Sequence, residues 1–145
     1  MENAFKFNLQ KVLDIRKDKE DESIRNFKNS QNEKLEIENK IINLKDSYEK
    51  YRGIKPNENI IYQKIKRSYL NSLTGAIKDK EVELQYKEIE VEEKRKDLNE
   101  KRLEKRTVEI LKEKQYDKFI KEQNRVERVT NDELALYAFM RNKKD

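Results

Sequence analysis

Apolar residues recur at heptad spacing through the second half of the chain. The repeat consists of Leu70, Ile77, Leu84, Val91 and Leu98. Leu73 follows the first of these by three residues, and the intervening residues are mostly charged or polar helix formers without proline. A strict heptad keeps one stripe facing a partner helix only when the two helices wind around each other with a left-handed twist. The pattern therefore predicts a long helix in a coiled coil.

Lysine occupies the other inward positions of this stripe. These positions are Lys80, Lys87, Lys94 and Lys101. Lysine methylene groups can cover an apolar seam while the ammonium groups reach water. We therefore expect a thinly buried seam. Farther along, Leu103 and Ile110 fall outside the register, which indicates that the seam moves around the helix near residue 100.

A first long helix is predicted over about residues 4–52. Its apolar positions near the amino terminus have helical spacing, and its last third contains Ile37, Ile41, Leu44, Tyr48 and Tyr51 at alternating steps of four and three. The same register places Glu20, Ser23 and Ser30 on the inner face. We expect loose packing or local fraying there, and two interpretations stay open: a merely weak stretch, or a functional one.

A turn over about residues 53–58 separates the two helices. Gly53 suits the position after a helix end, and Pro56 disfavours helix for the residue before it. Because this connection is short, the second helix, over about 59–128, should return antiparallel to the first. Gly75 interrupts that helix and either bends it or lets another surface approach closely. The predicted fold is all-α: one domain, residues 1–145, formed by a long antiparallel two-helix coiled-coil hairpin.

A separate short helix is predicted over about residues 131–142. Thr130 and Glu133 have the spacing of a capping box, in which each side chain satisfies a free backbone N–H group of the other residue. The segment contains the most apolar run of the chain, including Leu134, Tyr137 and Met140. It either packs back on the long helices or docks on a partner, and we favour docking.

Composition narrows the classes of function. Charged residues make up 45% of the 145 residues and apolar residues 34%, with no Cys and no His. The net charge of +5 is distributed as interleaved acidic and basic residues, which is typical of a solvated helix surface rather than of a nucleic-acid binder. Without imidazole, thiol or a glycine-rich phosphate loop, we expect no enzyme activity, no cofactor and no metal site.

The predicted location is cytoplasmic. No apolar run approaches the roughly 20 residues that span a bilayer, and the amino terminus lacks the layout of a secretory signal.

The amino-terminal residues resemble a known family. The run from Phe5 to Arg16, FKFNLQKVLDIR, followed by Glu20-Asp21-Glu22, resembles the opening of the flagellar FliJ family. These are small coiled-coil proteins of the flagellar type III export apparatus. The resemblance covers essentially the whole chain and implies a non-enzymatic component that couples the export ATPase ring to the export gate. It also implies a monomer that reaches the cytoplasmic face of the inner membrane through its partners only.

The resemblance also implies where the partners bind. The ATPase ring would contact the end that carries both termini, at Phe5, Leu9, Leu13 and Arg16 together with the region 119–140. The export-gate membrane protein FlhA would contact a patch early in the second helix, at Tyr69, Leu73, Ala76 and Lys80. Gly75 departs from the longer side chain that the family pattern predicts at that position, and Leu73 is also a seam residue by its spacing.

Other interpretations stay open at this point. Escort of export chaperones is a further implied role without a residue assignment. The apolar residues at both sites could instead simply close the coiled coil. The alternative to the whole interpretation is a self-associating coiled-coil scaffold unrelated to export.

Overall fold

Two long helices make up nearly all of the fold in a computed structural model of the chain. The structure describes residues 4–53 and 55–143. Helix α1 comprises Gln10–Tyr51 and helix α2 comprises Ile60–Lys143, and the described residues contain no strand. This confirms the all-helical class. The segment between the helices includes Gly53, whose φ of 95° is left-handed and therefore favours glycine.

Helix α2 differs from the expectation at its carboxyl end. No separate helix over 131–142 is observed, because α2 continues without a break to Lys143. Thr130 does not cap a helix: its Oγ1 donates a hydrogen bond of 2.9 Å to the carbonyl oxygen of Val126, one turn earlier in the same helix. The capping-box prediction was wrong because threonine inside a helix can satisfy its hydroxyl locally in this way.

The described residues belong to two compact units, and the central one extends from Lys19 to Lys101. Within it, Ser23 contacts Asp97, Lys45 contacts Glu81, and the ring of Tyr51 contacts that of Tyr69. The partner's number falls as the residue number rises, so α1 and α2 are antiparallel here. This arrangement is consistent with the predicted coiled-coil hairpin.

The second unit, which we call the terminal unit, contains the residues up to Asp18 and those from Arg102 onward. Phe7 and Val108 are its buried apolar residues. Lys112 Nζ donates a hydrogen bond of 2.7 Å to Gln10 Oε1. The prediction of a single domain stays a prediction.

The seam between the helices is largely polar. Its buried apolar residues in the central unit are Ile37, Ile41, Leu73, Val91 and Leu98. Glu20, Ser23 and Ser30 are also buried, which confirms that the register of α1 continues through its weak middle. Few apolar side chains are therefore available to hold the helices together in the first half of α1.

The register of α2 continues past residue 100 at unchanged spacing. Lys101, Lys105 and Lys112 are half-buried and Val108 is buried, whereas Leu103 is 68% exposed. The predicted shift of the seam was wrong. The reason is that lysine side chains occupy most of the inward positions. Leu103, which lies outside the register, was therefore taken as a sign that the seam moves around the helix.

Candidate partner-binding surfaces

Four residues expected at the ATPase ring lie together at the start of the chain in the terminal unit. We call Phe5, Leu9, Leu13 and Arg16 the amino-terminal cluster. The Phe5 ring packs edge-on to Tyr116 at 5.3 Å between centroids and tilts against Phe119 at 5.6 Å. Such aromatic pairs orient the non-helical start of the chain on α2. The cluster therefore has an internal packing role.

The polar member of the cluster is also engaged within the chain. Arg16 Nη1 donates a hydrogen bond of 2.7 Å to the carbonyl oxygen of Glu104. Leu13 is half-buried, and Leu9 keeps 38% of its surface exposed. A partner at this end would meet Leu9 and the outer edges of Phe5 and Leu13 rather than four free side chains.

The end of α2 is an exposed apolar surface of the terminal unit. Every described residue after Gln123 is exposed. Leu134, Tyr137 and Met140 are 62%, 68% and 54% exposed, and together with Arg141 they line an open groove. Soluble proteins rarely leave such a run uncovered, and contiguous exposed apolar surface marks interaction sites.

The heptad spacing of the seam continues into this end. Counted onward from Phe119 at the same alternation of steps, the positions are Glu122, Val126, Val129, Glu133, Leu136 and Met140. We call these six positions the carboxyl-terminal stripe. Its four apolar members remain between 45% and 55% exposed. A heptad stripe is the surface that a second helix covers in a coiled coil. This face therefore resembles that of one coiled-coil helix without its partner helix.

Sequence reasoning missed three of these residues. Val126, Val129 and Leu136 were overlooked because the presumed helix start at Thr130 interrupted the register. Of the predicted docking residues, only Met140 lies on the stripe, whereas Leu134 and Tyr137 lie beside it. Extending the seven-residue count through Thr130 would have found the stripe.

The charged residues of the described chain form ion pairs along the helices. Lys87 Nζ pairs with Glu33 across the helices and with Glu90 along α2 at 2.8 Å, and these hydrogen bonds raise the pKa of Lys87. Arg125 binds both carboxylate oxygens of Glu122, which lowers the pKa of Glu122. The arrangement is that of ion pairs that link neighbouring turns and, at Lys87, the two helices.

The residues expected at the export gate do not form one exposed patch. Leu73 is only 6% exposed and belongs to the seam, and Ala76 is half-buried. Lys80 Nζ is hydrogen-bonded to Glu83 at 2.9 Å. Tyr69 is 44% exposed, with its ring edge-on to Tyr51 at 5.5 Å. Leu73 is thus unable to offer its side chain to a partner, because the heptad places it against α1.

No site for an inorganic cofactor is formed by the described residues. They contain no group of three or more His, Cys, Asp or Glu side chains placed to hold a metal ion. Over its described residues, neither helix is apolar enough along a sufficient length to cross a membrane.

Comparison with known proteins then decides the family. The model of the family described as "Flagellar FliJ protein" matches residues 5–144. The chain belongs to the FliJ family. No match was found among curated proteins or among solved structures.

Family membership confirms the resemblance seen in the amino-terminal residues. It makes the chain a coiled-coil protein of flagellar export, in a family of structural export components. The FliJ match includes the amino-terminal cluster and the carboxyl-terminal stripe, so both lie in the part of the chain that the family shares.

Proposed function

We propose that this FliJ-family chain binds the flagellar export ATPase ring through its terminal unit and the export gate through its central unit. The observation that carries the proposal is the carboxyl-terminal stripe, an apolar heptad surface that lacks a partner helix within the described chain. The amino-terminal cluster supports the terminal unit by fixing the start of the chain against α2. The role is non-enzymatic coupling, exerted from the cytoplasm, and escort of export chaperones is part of the same proposal.

Pull-down with the purified export ATPase tests the first contact. The triple variant Val126→Ser, Leu136→Ser, Met140→Ser removes three apolar members of the stripe. We expect it to lose ATPase binding while its helix content stays unchanged, because exposed residues contribute little to folding. The matched control Tyr86→Ser, Ile89→Ser, Leu103→Ser removes three exposed apolar residues elsewhere and should bind normally. Equal binding by both variants would reject the stripe as the contact.

We propose that the export gate contacts the outward side of Tyr69 together with Ala76 and Lys80. Leu73, which is buried in the seam, supports this surface from the inside. Its support is the exposure of Tyr69 together with the partial exposure of Ala76 and Lys80 on the same helix. Tyr69→Ala should weaken binding to the cytoplasmic part of FlhA. Tyr51→Ala is the control, because it removes the same ring–ring contact without changing the outward surface. Equal losses in the two variants would assign Tyr69 to the fold instead.

We propose a monomer in solution. The antiparallel contacts of the central unit are satisfied within one chain, and a parallel pairing of two stripes would oppose Glu133 to its own copy. Light scattering on the purified chain tests this. A stable dimer that the stripe variant abolishes would favour the self-associating scaffold.

A further inference from the structure

The first part of α2 contains the longest run of the chain without an acidic residue. Asp and Glu account for 30 of the 145 residues, yet none occurs from Asn59 to Lys78. The same run contains four basic residues, Lys64, Lys66, Arg67 and Lys78. Elsewhere in the chain the charges are interleaved, so this stretch is a local departure toward positive charge.

Large apolar side chains in this stretch are exposed at the beginning of α2. Ile60, Ile61 and Ile65 are 69%, 66% and 63% exposed. Successive residues of a helix point about 100° apart, so Ile60 and Ile61 extend from different sides. The surface is therefore apolar on more than one side of the helix. We call Ile60, Ile61, Lys64, Ile65 and Arg67 the turn-end patch.

The basic residues of the patch are available to a partner. Lys66 is neutralised within the chain, since its Nζ lies 3.1 Å from Glu58 and both side chains are nearly buried. Lys64 and Arg67 are exposed, and among the described residues neither forms an ion pair with a carboxylate. Together with Ile60 and Leu70 they line a groove of about 450 Å³. Two unneutralised cations thus border an apolar surface.

We propose that the turn-end patch binds the surface of an anionic phospholipid bilayer directly. Isoleucine side chains can enter the boundary between headgroups and acyl chains, while lysine and arginine beside them meet anionic headgroups. A rigid acidic protein would match the charges but would cover only one side of this helix end, whereas lipids adapt to the isoleucines on both sides. This inference goes beyond the proposed function and does not rest on either protein contact.

Flotation of the full chain with lipid vesicles tests the proposal. The probes are phosphatidylglycerol–phosphatidylethanolamine vesicles and phosphatidylcholine vesicles, in the absence of any other protein. The chain should float with the first and not with the second. Because each basic residue near an anionic surface contributes substantially to binding, Lys64→Glu, Arg67→Glu should lower the bound fraction by about tenfold or more. Ile61→Ser, Ile65→Ser should lower it at unchanged net charge.

The control variant is Lys114→Glu, Lys118→Glu, which makes the same change in net charge at two exposed lysines of the terminal unit. It should float as the unaltered chain does. Absence of flotation with both vesicle types, or equal losses in the patch and control variants, would overturn the proposal. If flotation is absent and Lys64→Glu, Arg67→Glu instead abolishes binding to FlhA, the occupant is an acidic protein surface and the lipid proposal is likewise overturned.

Discussion

Ser23 Oγ on α1 donates a hydrogen bond of 2.6 Å to Asp97 Oδ2 on α2. Ser23 is only 4% exposed, so this polar contact lies within the seam rather than beside it. An interface that buries hydroxyl and carboxylate groups gains little from apolar burial and depends on its polar partners being present. The first half of α1 is therefore paired with α2 specifically but weakly.

Removing either partner of this bond should destabilise the central unit. Ser23→Ala leaves the Asp97 carboxylate without its donor, and Asp97→Ala leaves the hydroxyl without its acceptor. In a double-mutant cycle we expect a coupling free energy of about 1 kcal/mol, because a buried polar group left unpaired carries a desolvation penalty. Urea unfolding of the four proteins measures it. A coupling indistinguishable from zero would mean that water replaces either partner at no cost.

The contribution of Lys87 to folding stability should depend on pH, and its cross-helix partner Glu33 should set the pH range. Its hydrogen bonds to Glu33 and then Glu90 raise its pKa above the ordinary 10.5. A group with a raised pKa in the folded state stabilises folding below the pKa of the unfolded chain and loses that contribution as pH rises through the folded value. The window is therefore alkaline, above 10.5.

The Lys87 titration can be followed by carbon-13 NMR of its ε-carbon. Glu33→Gln should move the midpoint of that titration down, since it removes the largest cause of the raised pKa. Glu36→Gln, at a neighbouring exposed position, is the control and should leave the midpoint in place. An unchanged midpoint in Glu33→Gln would show that the cross-helix pair does not persist in solution.

The two glycines should respond oppositely to alanine. Gly75 lies inside α2, and a Cβ built there meets no atom within 4 Å. Gly75→Ala should therefore raise the free energy of unfolding by about 0.5–1 kcal/mol, because alanine has the better helix propensity. Gly53→Ala should lower it, because φ at Gly53 is 95°. Thermal unfolding measures both, and a destabilising Gly75→Ala would indicate that this position is approached by a surface absent from the described residues.

The sequence predicted the helices and the central seam because a heptad repeat is visible in the residue types alone, without knowledge of which residues are in contact. Ile37, Leu73 and Leu98 are buried where the repeat placed them. The register continues past residue 100, and the predicted shift of the seam there was wrong because exposed Leu103 lies outside the register, whereas Lys101 and Val108 lie within it. The helix start predicted at Thr130 was also wrong. A capping box is recognised from four residues, and these do not show whether the preceding residues already form a helix.

The partner sites were predictable only in part. The amino-terminal motif identified the family, but packing decides which motif residues remain accessible. Arg16 is bonded to Glu104 and Leu73 faces the seam, and both facts depend on side chains distant in sequence. The turn-end patch was missed because exposure of Ile61 and Ile65 depends on which face of α2 meets α1.

Site-specific photocrosslinking in the flagellated cell tests the central claim most directly. A photoreactive phenylalanine analogue would replace Leu136 on the carboxyl-terminal stripe, and Leu103, exposed and outside the seam register, would be the control position. We predict an adduct with the export ATPase from position 136 and none from position 103. An adduct from position 136 only with a second copy of the chain, or no adduct with the ATPase, would contradict the account.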